Sequence, residues 1–80
     1  MDKTSIFNVA ELRQELILIT LNEIMDSLNK KGYNAEHQLV GYLLTGDPTY
    51  ISSFEGAREK IKNLKREEIL LALINSFEGK

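Results

Sequence analysis

From Ala10 to Lys31 the chain carries Leu12, Leu16, Leu21, Ile24, Met25 and Leu28 at helical spacing, with Ile17-Leu18-Ile19 set among them. A helix that is apolar over most of its circumference has to be covered on more than one side. It can be buried within its own chain or shared between two subunits. At 80 residues the first solution is hard to reach, because so short a chain buries only about 60–65% of the surface its unfolded form exposes. There is no cysteine, so neither a disulfide nor a thiolate metal site can brace a small core. A single domain with this helix at a homodimer interface is the expected outcome.

The rest of the chain is punctuated as helices. Lys30-Lys31-Gly32 places two cations at the negative end of the first helix and a glycine able to turn it off. Asn34 suits an N-cap, with Glu36 in the favourable first turn. Leu39, Val40, Leu43 and Leu44 follow as the apolar set of a short buried helix, and Gly41 within it suits close approach of another backbone. Gly46-Asp47-Pro48 could pass for part of an active-site loop. A phosphate-cradling loop, however, needs more glycines and a following Lys with Ser or Thr. Gly46 as a helix stop, Asp47 as a cap and Pro48 at the first helical position describe a helix-to-helix junction instead.

Ser52 and Glu55 stand at capping-box spacing, and Phe54, Ala57, Ile61 and Leu64 mark one face of a third helix. Continuing that stripe would bury Glu68, whereas the apolar positions shift to Ile69, Leu70, Leu73, Ile74 and Phe77. A break near residue 65 is therefore expected, with Glu67 and Glu68 at the positive end of a new helix. No strand-like alternation and no internal repeat occur. The expected fold is all-α: a compact bundle of four to five short helices over 9–80. Residues 1–8, with Ile6 and Phe7 as apolar anchors, are expected to form a flexible N-terminal arm.

Several functional classes recede. A net charge of −2 supplies no global basic field for nucleic acid or anionic lipid. The run Leu16 to Ile19 is far short of the about 20 residues that span a bilayer, and the start lacks a signal peptide's apolar segment. A cytoplasmic protein is expected. The single histidine, His37, has no second ligand at helical spacing, so no metal centre and no cofactor are expected. No nucleophile and acid frame His37 for catalysis, and the carboxylates are dispersed among Lys and Arg as on solvated surfaces. No catalytic residue is assigned.

One charged feature stands apart. Arg58, Lys62, Lys65 and Arg66, with Lys60 nearby, follow one another at spacings that favour one helical side. Glu55 and Glu59 partly neutralise it. Such a strip reads equally as a solvated face or as a docking surface for a carboxylate-rich partner or phosphate. Nucleic acid is a third reading, although no aromatic residues interleave to stack bases. In the arm, Thr4 is accessible to a kinase, and a phosphate there would add about −1.5 to −2 charge.

The run LNKKGYNAEHQLVGYLLTGDPTYI, followed by AREKIKNLKREEIL, resembles the IreB/ReoM family of small Gram-positive regulatory proteins. The resemblance is carried by Lys31-Gly32-Tyr33-Asn34, Gln38-Leu39-Val40-Gly41-Tyr42, Gly46-Asp47-Pro48 with Tyr50, Ala57-Arg58, and Arg66-Glu67-Glu68-Ile69. It implies an all-helical homodimer with a flexible N-terminal arm and no enzymatic activity. It further implies phosphorylation by a membrane PASTA-type serine/threonine kinase, reversal by the partner phosphatase, and a role in peptidoglycan synthesis. In part of the family that role runs through Clp-protease degradation of the enzyme for the first committed precursor step, which makes the Clp machinery or an adaptor an implied partner. The family's phosphorylated threonine precedes a short aromatic-containing segment. Thr4, in Thr4-Ser5-Ile6-Phe7, falls at that position, with Ser5 as the alternative acceptor. The strip Arg58, Lys62, Lys65 and Arg66 is the expected partner-binding face. Two other classes stay open: a helical dimerisation module without phospho-control, and a small nucleic-acid binder.

Overall fold

The computed structural model describes residues 9–79, so the expected arm over residues 1–8 lies outside the described residues. Four α-helices follow one another: α1 (Val9–Lys31), α2 (Ala35–Thr45), α3 (Ala57–Lys62) and α4 (Arg66–Phe77). Single 3-10 turns at Pro48–Tyr50 and Phe54–Gly56 join α2 to α3. The all-α expectation holds, with no strand among the described residues.

Local chemistry sets the joints. At the end of α1, Gly32 N–H donates to Asn29 O and Tyr33 N–H to Leu28 O, both at 3.0 Å. These paired bonds satisfy carbonyls that the helix itself leaves open. Asn34 caps α2 by accepting from His37 N–H at 3.1 Å. Gly46 ends α2 at φ 77° and donates to Tyr42 O at 2.7 Å, a left-handed conformation that costs residues with a Cβ about 1–2 kcal/mol. Asp47 then accepts from Thr49 N–H at 3.0 Å, with Pro48 at the first position of the turn.

The core runs along one face of α1. Ile17, Leu21, Ile24 and Leu28 recur at i, i+4, i+7 and i+11. Against them pack Ile51, Ala57, Ile61 and Leu64 from the α3 region, Ile69 and Ala72 from α4, and Ala35 and Tyr42 from α2. The opposite side of α1 holds Leu12, Leu16 and Ile19, each about half exposed. This long helix is thus apolar on two faces, of which the described residues cover one.

Three expectations need correction. Val40 and Leu44 are not buried: they are 53% and 79% exposed. The inward face of α2 is set by Ala35 and Tyr42, one residue out of phase with the all-aliphatic set, with Leu39 and Leu43 at its margin. Gly41 accommodates a ring rather than a backbone, because a Cβ there would run into Cδ1, Cε1 and Cγ of Tyr50. Ser52 and Glu55 make no capping box. Glu55 stands at φ 52° and Gly56 at φ 76°, so the chain turns twice before α3 begins at Ala57. Ser52 Oγ instead accepts from Phe54 N–H at 3.2 Å, and Lys31 Nζ lies 5.4 Å from the Phe54 ring centroid, a cation–π contact.

The break near residue 65 is present. Lys65 is extended at φ −81°, ψ 135°, and α4 starts at Arg66. Of the five apolar positions expected there only Ile69 is buried, joined by Ala72, while Leu70, Leu73, Ile74 and Phe77 are exposed.

Candidate interaction site

The basic residues singled out in the sequence sit on two helices, not one. Arg58 belongs to α3, Lys62 ends it, Lys65 precedes α4 and Arg66 opens it. Both arginines also brace the fold. Arg58 Nε donates to Ile51 O at 2.8 Å, tying α3 to the segment before it. Arg66 Nη1 donates to Leu43 O at 3.0 Å, and its guanidinium lies directly over Gly46. These bonds satisfy a carbonyl at the end of α2 and hold α4 against it. A guanidinium has five N–H donors, so each arginine keeps donors beyond the one committed to a carbonyl. Lys62 pairs with Glu59 at 3.5 Å across i, i+3, and Lys65 is exposed.

His37 is exposed and contributes its backbone N–H to the Asn34 cap. Among the described residues, no three His, Cys, Asp or Glu side chains converge where they could hold a metal ion. Nor, among the described residues, is any helix long and apolar enough to cross a membrane. Thr4 and Ser5 lie outside the described residues.

A second polar constellation, absent from the sequence reading, joins the first helix to the last. Arg13 Nη2 donates to Glu68 Oε1 at 3.1 Å, and Asn75 Nδ2 donates to Gln14 Oε1 at 2.8 Å. The partners are 55 and 61 residues apart, and no local rule signals a pair at such separation. The two bonds flank a half-open cavity of about 180 Å³ lined by Ala10, Arg13, Gln14 and Ile17 of α1 and Glu68 and Leu71 of α4.

The hydrogen bond from Arg13 holds the Glu68 carboxyl below its usual range, and the hydroxyl of Thr49, then its N–H, do the same for Asp47. A carboxylate whose pKa is depressed by folding adds stability above its unfolded pKa and loses it as pH falls through the folded value. Stability should therefore fall on acidification below the ordinary carboxylate range. Melting temperatures taken from about pH 6 to about pH 3 should decline less steeply in Glu68→Gln than in wild type. Parallel curves would show that the Arg13–Glu68 pair has no part in the acid limb.

The exposed apolar residues complete the inventory. Most fall on α1 (Val9, Leu12, Leu16, Ile19), on α2 (Val40, Leu44) and on α4 (Leu70, Leu71, Leu73, Ile74, Phe77), with Tyr33 and Tyr50 at the joints. Surfaces of this kind, rimmed by charge, suit protein partners better than a small-molecule reaction. The model of the IreB regulatory phosphoprotein family matches residues 2–78. That span includes Thr4 and Ser5, all four helices and the basic residues of α3 and α4. The chain belongs to the family of IreB regulatory phosphoproteins.

Proposed function

We propose that this protein is a non-enzymatic, cytoplasmic regulator of peptidoglycan synthesis, switched by a PASTA-type serine/threonine kinase and its phosphatase at Thr4, with Ser5 as the alternative acceptor. It works as a homodimer. Its output is control of Clp-dependent degradation of a precursor-synthesis enzyme, reached directly or through an adaptor. Arg58, Lys62, Lys65 and Arg66 form the partner-binding face. The observation that carries this reading is the match to a regulatory phosphoprotein family over residues 2–78. Two features support the surface role. The free donors of Arg58 and Arg66 are held in place by their carbonyl bonds, which lowers the entropy lost when they grip a carboxylate. The uncovered apolar faces supply area for association.

The direct test is phosphate incorporation by the kinase of the same cell into wild type, Thr4→Ala and Ser5→Ala. Incorporation should survive Ser5→Ala and be lost in Thr4→Ala. The reverse pattern would move the site to Ser5. No incorporation into wild type would leave a helical dimerisation module without phospho-control. A nucleic-acid role would instead show as binding at low salt that weakens steeply as salt is raised.

A further inference from the structure

The cavity between α1 and α4 is built like a seat with no occupant among the described residues. Ile17 forms its base, exposed Ala10 and half-exposed Leu71 its apolar walls, and Arg13, Gln14 and Glu68 its polar lining. Ile17 is only 1% exposed, so the base is continuous with the core. At about 180 Å³ it exceeds the roughly 150 Å³ apolar cavity that is known to admit benzene. The half-open space thus has volume enough for one aromatic ring.

The position of the cavity selects the occupant. Ala10, the second residue of α1, lines it, and residues 1–8 immediately precede that helix in sequence. Phe7 is three residues before Ala10, a separation the chain spans over at most about 10 Å. A tethered ring meets the cavity at an effective concentration in the roughly millimolar range. A second molecule would first have to meet the translational and rotational cost of association. Thr4 is three residues before Phe7, again within about 10 Å along the chain, and Arg13 is the guanidinium in the polar lining.

We infer that the α1–α4 cavity seats the Phe7 ring of the chain's own arm, and that a phosphate on Thr4 then draws Arg13 away from Glu68. The second half rests on the phosphorylation reading above; the first does not. A dianionic phosphate is the stronger acceptor for a guanidinium than a carboxylate that is one-third exposed. Glu68 left behind is still favoured by the positive end of α4, so the exchange keeps the helix start intact while loosening the tie between the first and last helices.

The experiment uses the full chain with labelled aromatic rings and methyl groups, prepared both unmodified and with phosphothreonine built in at position 4. In the unmodified chain, nuclear Overhauser contacts should join the Phe7 ring to methyls of Leu71 and Ile17. Leu71→Trp, which fills the cavity from a half-exposed position, should erase the contact to the Ile17 methyls while the helical spectrum persists. Contacts from Phe7 to Leu12 instead would mean the ring staples onto the far side of α1 and would overturn the seat. So would no contact at all, or contacts found only between labelled and unlabelled chains in a mixed sample. In the phosphorylated chain the Arg13 Nε–H and the Glu68 carboxyl carbon should shift together; if neither moves, the exchange is refuted. Because the phosphate is installed during preparation, a kinase that ignores Thr4 bears only on the proposed function.

Discussion

Replacing Ile61 with alanine lowers the thermal midpoint by roughly 10–30 °C, the largest effect expected of any single truncation in α3. Ile61 is fully buried, and with Ala57 it is one of the two core residues that the six-residue α3 contributes. Isolated helices of this length have no stability of their own. Removing a buried Ile side chain costs about 2–5 kcal/mol, because surrounding residues collapse only partly into the space. A chain of 80 residues has about 4–12 kcal/mol in total, so up to half or more of its stability is at stake. Ile61 also fixes the helix bearing Arg58 and Lys62. Lys62→Ala, at an exposed site, should stay within about 0.5 kcal/mol of wild type. Melts at one fixed protein concentration decide the matter. A drop of less than about 4 °C for Ile61→Ala would mean that α3 contributes little to the cooperative unit.

The joints of this fold were legible because they are made locally. Gly32, Asn34, Gly46, Asp47 with Pro48, and the phase break before Arg66 each act on partners within five residues, which is the range over which caps and turns operate. The sidedness of α2 was not legible in the same way. Periodicity shows that a helix has a preferred face, but it does not rank a tyrosine against two aliphatic residues for the inside. Tyr42 is buried while Leu44 is nearly bare. Phe54 misled for a related reason: its spacing to Ala57 and Ile61 is helical, yet the positive φ at Glu55 and Gly56 puts it outside α3. At the candidate site, charge alone was enough to single out Arg58 and Arg66. Their carbonyl acceptors, Ile51 and Leu43, could not be read, since every joint and helix end leaves several open carbonyls and only the tertiary fold selects among them. Arg13 and Glu68 were invisible as a pair because only the folded topology brings them together.

Introducing Leu16→Glu and Ile19→Glu together should convert the proposed homodimer into monomers without unfolding it. Both side chains project from the uncovered face of α1, at 49% and 52% exposure, so the core loses nothing, and glutamate is among the better helix formers. The helical signal should be unchanged. The dimer meets a different balance. In a two-fold interface each substitution appears twice, which removes four aliphatic side chains worth about 1.5–3 kcal/mol each when fully buried. It also puts four carboxylates where none has a partner, at several kcal/mol for each one truly desolvated. Even partial burial gives at least about 4 kcal/mol, or a thousandfold weaker association. Sedimentation of wild type and the double variant over a range of concentrations measures this directly. A wild type that is already monomeric at every concentration would remove the homodimer. A dimer that withstands both charges would instead place the interface on α4, where Leu70, Ile74 and Phe77 are also uncovered, and Ile74→Glu would then be the substitution that separates the subunits. The α1 face is the stronger expectation because that helix carries apolar residues on both sides and the described residues cover only one.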